Sequence, residues 1–142
     1  MDRRLFLLST LALASCGGDA APLTVICDPD LDEPLRRAAA AHGETDLAVS
    51  AAGPQDLLAL AEAARSALVV TRQALLANRL QRLGFVRLEH RWQIAVDGAP
   101  AQMLVTKGPG AAQGRALRFA KWLATDEAAA ALSPAATVAT AP

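Results

Sequence analysis

The sequence predicts an α/β fold: a single doubly wound, mainly parallel sheet of about five strands, the last pair antiparallel, with helices on both faces. Three observations predict it. Between Leu23 and Gly84, short apolar runs rich in β-branching alternate three times with segments of helical periodicity, as repeated strand-to-helix units require. Alanine and leucine dominate, tyrosine is absent, and only three phenylalanines and two tryptophans occur, which suits helices lying close on a flat layer. Beyond Gly84 the pattern changes to two extended segments flanking Asp97-Gly98, a strong hairpin signal.

Each element has its own local cause. Leu23 to Ile26 is a brief apolar run ended by Asp28-Pro29, and predicts a buried strand. Asp30 or Asp32 is expected to cap the helix that follows, with Glu33-Pro34 in its first turn. Leu35, Ala38, Ala39 and His42 share one face of that helix, and Gly43 stops it. Leu47 to Ala51 is a second strand. Gly53-Pro54 then breaks the chain before a helix whose stripe is Leu57, Leu58, Leu60, Ala61 and Ala64.

Ala67 to Val70 is a third strand ending at Thr71. The next helix carries Leu75, Leu76, Leu80 and Leu83 and stops at Gly84. Val86 to Val96 and Gln102 to Thr106 form the antiparallel pair, with Pro100 calling for a loop slightly longer than two residues. Gly108-Pro109-Gly110 leads into a helix from about Ala111 to Ala124, with Leu117, Ala120 and Leu123 inward. Thr125-Asp126-Glu127 is a fresh N-cap with first-turn acids, opening a short helix to Leu132.

The N-terminus addresses the chain elsewhere. Arg3 and Arg4 precede an apolar run from Leu5 to Leu13 that is too short to span a bilayer, and small residues follow. Leu13-Ala14-Ser15-Cys16 resembles a bacterial lipobox, in which the thiol receives diacylglycerol and becomes the mature N-terminus. Asp2-Arg3-Arg4-Leu5-Phe6-Leu7 is also similar to a twin-arginine export signal, so either the general secretory or the twin-arginine route is open. The expected organisation is a lipoprotein signal peptide at 1–15, a tether at 16–22, one α/β domain at 23–133 and a flexible tail at 134–142. Localisation follows: the periplasmic side of the cell envelope, held to a membrane through Cys16.

Composition removes several functions. Without residues 1–15 the chain keeps 12 Lys+Arg and 13 Asp+Glu of the 14 and 14 in the whole sequence, a balance of −1. Nucleic acid, which needs a clustered basic excess, is not an expected partner. With Cys16 lipidated, Cys27 has no partner for a disulfide and is expected to pack as a small buried hydrophobe. Charge is uneven along the chain. Nine acids between Cys16 and Ser66 face only Arg36, Arg37 and Arg65, and nine bases between Ala67 and Ala124 face only Glu89 and Asp97. Such asymmetry is expected either to orient a partner surface or to reflect helices whose outer faces differ in sign.

The order of elements resembles the substrate-binding proteins of bacterial ABC importers, in particular the molybdate-binding branch of the type II fold. Gly114 to Ala128 is similar to that family's helix-break-helix, Leu104-Val105-Thr106-Lys107-Gly108 to the strand before it, and Leu23-Thr24-Val25-Ile26 to its first strand. Ala67 to Gly84 is similar to a segment that continues as a helix ending in glycine. The resemblance implies two lobes, yet the strands leading out of and back into the first are joined here by a few residues around Asp97-Gly98. One lobe is therefore expected, without the cleft that closes on a ligand.

The resemblance places the binding rim at the strand-to-helix turns. Asp30 stands where the family's first oxyanion-binding serine would lie, with Asp28 and Asp32 beside it, and these carboxylates repel molybdate or sulfate. Ser50 and Thr71 end the second and third strands, where a ligand sits in an open α/β sheet. The rim of Asp28, Asp30, Asp32, Ser50 and Thr71 is expected to meet a cationic small molecule or a basic protein surface, or else its acids merely cap a helix. An ABC permease or another envelope protein is the expected partner, with no cofactor and no catalytic residue.

Two other classes stay open. Cys27, His42, His90 and Met103 are soft or borderline ligands for copper or zinc, though no pair has diagnostic spacing. A small hydrolase is a third reading, against which Ser50-Ala51-Ala52-Gly53 lacks a nucleophile elbow and acids flank Cys27. Trp92 and Trp122 read as sheet-covering residues. Trp92, Met103 and Leu104 are expected to border an apolar patch where the second lobe is missing.

Overall fold

In the computed structural model, which describes residues 22–133, the apolar run Leu23–Cys27 forms strand β1, around which the chain winds in both directions. A 3-10 turn at Pro29–Leu31 leads into helix α1 at Asp32–His42 and strand β2 at Leu47–Ala51. Helix α2 at Pro54–Ala63 crosses back to strand β3 at Leu68–Thr71, followed by helix α3 at Ala74–Arg82. Strands β4 at Val86–Val96 and β5 at Ala99–Thr106 make the hairpin, and helices α4 at Gly110–Leu123 and α5 at Asp126–Leu132 complete the fold. The sheet order is β2-β1-β3-β5-β4, with β1 parallel to both its neighbours and β5 antiparallel to both of its own.

This is the α/β, mainly parallel, doubly wound sheet that the sequence predicts. Alternation along each strand divides the core in two. Val25, Cys27, Val70, Met103 and Val105 point to the face covered by α1, α4 and α5, where Phe119 and Leu123 pack. Ile26, Val69 and Leu104 point to the opposite face, under Leu57 of α2 and Leu80 of α3. Burial on both sides explains why β1 and β3 read as continuous apolar runs. Each such side chain contributes about 1.5–3 kcal/mol relative to exposure.

Three expectations are corrected. Neither Asp30 nor Asp32 caps α1: its N-cap position is Leu31, with no side-chain bond, because the 3-10 turn already delivers the chain in helical geometry. The hairpin loop is two residues rather than longer, since Val96 pairs with Ala99 around Asp97 (φ 52°) and Gly98 (φ 80°). Two successive positive φ values are the two-residue turn that matches strand twist, and glycine meets that need without strain. Pro100 fits inside β5 because β3 pairs with β5 only from Gln102 onward. Met103 and Leu104 border no exposed patch: both are fully buried by helices on the two faces, while Trp92 packs half-buried against the first.

Other local readings hold. Thr125 accepts a hydrogen bond from Ala128 N at 3.4 Å as the N-cap of α5. Trp122 stacks on His42 at 4.3 Å, tying α4 to the end of α1. Among the described residues no helix is long and apolar enough to cross a membrane. The expected signal peptide at 1–15, Cys16, almost all of the expected tether and the expected tail at 134–142 lie outside the described residues.

Candidate functional site

The carboxyl ends of β1 and β3 meet where the winding reverses direction, the usual place for a ligand in an open α/β sheet. Asp28 leaves β1 there in an extended conformation, and its amide donates to Val70 O at 3.3 Å. Its side chain is almost wholly buried. Asp28 Oδ1 accepts from Thr71 Oγ1 at 2.9 Å, and Oδ2 accepts from Arg72 N at 2.7 Å. The Thr71 hydroxyl in turn accepts from Gln73 N at 3.1 Å. Both carboxylate oxygens of Asp28 and the Thr71 hydroxyl are thereby engaged by other parts of the chain.

Arg72 extends this network outward. Its Nε donates to Asp30 Oδ2 at 2.6 Å. Its Nη1 reaches Ala99 O at 3.1 Å and Pro100 O at 3.3 Å, and its Nη2 reaches Val96 O at 3.0 Å. One guanidinium thus clasps the acidic turn after β1 to the tip of the β4–β5 hairpin, beyond the end of β3. Its side chain is 26% exposed: the bonds to Ala99 O and Val96 O are partly buried, whereas those to Asp30 and Pro100 O lie at the surface. The cation that the sequence leads one to seek outside the chain is Arg72 itself.

The predicted rim therefore divides. Asp28, Thr71 and Asp30 come together through Arg72. Asp32 turns away and pairs with Arg36 at 2.6 Å on the exposed side of α1. Ser50 sits on the outer strand β2 opposite Ile26, exposed and apart from the network. Sequence reasoning missed Arg72; the available signal was a lone arginine directly after a strand that ends beside three carboxylates.

Cys27, one residue before Asp28, is fully buried. Burial pushes its thiol up to about 12, and the charges of Asp32 and Asp28 push the same way. It stays protonated at neutral pH and is neither a nucleophile nor a ready metal ligand. The other soft ligands are dispersed: His42 ends α1 at the far end of the sheet, His90 lies on β4, and Met103 is inside β5. Among the described residues no group of three His, Cys, Asp or Glu side chains is placed to hold a metal ion.

The larger open space is elsewhere. A groove of about 650 Å³ runs between edge strand β4 and the α4–α5 elbow, lined in part by Gln93, Ile94, Ala95, Leu123, Ala129 and Ser133. It contains none of the predicted rim residues. A smaller cleft of about 210 Å³ at the opposite end of the sheet is lined by Glu62, Ala64, Arg65, Gly84, Phe85 and Lys107. No family model matches the chain, and neither a curated protein nor a solved structure matches it.

Proposed function

We propose that this chain is a lipid-anchored, extracytoplasmic, solute-binding-protein-like lobe that serves an ABC importer or an envelope enzyme as an accessory subunit. The observation that carries this reading is the Asp28–Thr71–Arg72 network. At the point where a solute would bind, the polar groups are engaged with one another. The topology adds support: β4 and the antiparallel β5 lie side by side, joined only by Asp97-Gly98. A second lobe inserted at that turn would supply the opposite wall of a cleft; its replacement by two residues leaves a surface suited to a protein partner. The groove beside β4 is an open surface for that contact.

Two measurements test the proposal. Titration calorimetry of the full chain against molybdate, sulfate and a diamine is expected to show no saturable heat, and tight oxyanion binding would overturn it. A photo-crosslinking residue at Gln93 in intact cells is expected to trap a permease or envelope-enzyme subunit, whereas one at Ala48 on β2 is not. Absence of any discrete adduct from Gln93 would remove the accessory role.

A further inference from the structure

The two ends of the sheet differ in charge, with Arg91 in β4 and Arg118 in α4 lying between them. The carboxyl end of β1 bears eight acids, at positions 28–33, 56, 97 and 126–127, against Arg36, Arg37, Arg72 and Lys121. At the other end, where β1 begins, six bases meet four acids: Arg65, Arg79, Arg82, Arg87, Lys107 and Arg115 against Glu44, Asp46, Glu62 and Glu89. Arg115 is engaged with Glu44 at 2.8 Å, and Arg87 approaches Glu89 at 4.0 Å. Among the described residues Arg65, Arg79, Arg82 and Lys107 form no ion pair. Arg79 and Arg82 occupy the last turn of α3, where cations also favour the helix dipole. That effect does not account for Arg65, Arg87 and Lys107.

Two bulky apolar side chains stand on the same end. Leu83, just after α3, is 52% exposed, and Leu88, in an irregular stretch of β4, is 73% exposed. The cleft lined by Arg65, Phe85 and Lys107 opens at this end as well. Leucines projecting among unpaired cations make an interfacial surface: the apolar tips enter the headgroup boundary while the cations meet phosphate.

We infer that this basic end is a membrane-docking face that seats the domain on anionic phospholipid headgroups. Chain geometry agrees. Leu23 enters the sheet at this end, only seven residues after Cys16, and seven residues reach at most about 25 Å. A lipid on Cys16 holds this end, and not the acidic one, against the bilayer. The inference rests on the lipid-anchor reading for that orientation, while the charge and the leucines stand independently. The diacylglycerol expected on Cys16 already supplies two acyl chains for attachment, so the basic patch serves to orient the domain, seating this end on the headgroups.

The test uses the full chain carrying Cys16→Ala, so that no acyl group contributes and the leader is common to all samples. Binding to phosphatidylglycerol-containing vesicles is compared with binding to neutral phosphatidylcholine vesicles. The expected result is preference for the anionic vesicles, lowered at least about tenfold by Arg82→Glu with Lys107→Glu, since each surface cation contributes roughly fivefold. Leu83→Ser with Leu88→Ser lowers it as well. Arg36→Glu with Arg37→Glu, at the acidic end, leaves it unchanged. Salt at about 0.5 M releases the protein, because screening then acts over well under 10 Å. Equal binding to both vesicle types, or equal loss from the two arginine-containing pairs, would overturn the inference. Mass analysis of Cys16 in the exported wild-type chain reports separately on the anchor, so failure of one is distinguishable from failure of the other.

Discussion

Asp28 shows how one buried carboxylate fixes the meeting of two strands. It accepts from a hydroxyl on Thr71 and an amide on Arg72, both more than forty positions away in sequence. Replacing Asp28 with Ala orphans both donors, at about 1–3 kcal/mol each. Asp28→Asn costs less, because the amide oxygen still accepts one bond; chemical denaturation should rank wild type, Asn, then Ala. Cys27 gives a pH-dependent counterpart. Its thiol is raised from the ordinary 9.0 to about 12 in the fold, so the unfolded chain releases its proton first as pH rises. The contribution of this group is whole below pH 9 and declines between 9 and 12, and Cys27→Ala should lose that decline. In the native protein the thiol is expected to resist alkylation at pH 8 and to react fully in denaturant.

At the scale of elements, the connections carry the tightest constraint. Gly108, between β5 and α4, lies against the α2–β3 connection, where Ser66 adopts a φ of 56° and donates its amide to Lys107 O at 3.2 Å. A Cβ on Gly108 would collide with Ser66 Oγ and lie 2.6 Å from Ser66 N. Gly108→Ala should therefore destabilise by about 1–3 kcal/mol, read as a lowered denaturation midpoint with unchanged slope. This contact was invisible in the sequence, whereas the elements it joins were plain: Leu23–Ile26, the Leu76/Leu80 spacing and Asp97-Gly98 each declare their structure through neighbours only a few residues away. The insertion of β5 between β3 and β4 rests on pairing at long range, as does the burial of Met103 and Leu104. The candidate site was half legible for the same reason. Its acids and Thr71 could be placed at strand ends by local pattern, but Arg72 became a clasp only once the hairpin tip had been folded over it.

For the whole molecule, charge that is uneven along the sequence becomes a polarity in space. Acid-rich and base-rich halves interleave through Asp30–Arg72, Glu44–Arg115 and Asp97–Arg37, yet the acids gather at one end of the sheet and unpaired cations at the other. The sheet has a free margin at β4, whose pairing with β5 advances five residues, from Val86 to Arg91, while β5 moves only two, from Thr106 to Leu104. Three surplus residues therefore pouch outward and spoil the straight row of amides that a neighbouring copy could extend. Excising Leu88, Glu89 and His90 would straighten that margin. The trimmed protein is expected to lengthen into fibrils that bind thioflavin T, whereas the natural chain stays dispersed at the same concentration. An outpouching of three residues thus becomes the safeguard that keeps a half-open sheet from recruiting its own kind.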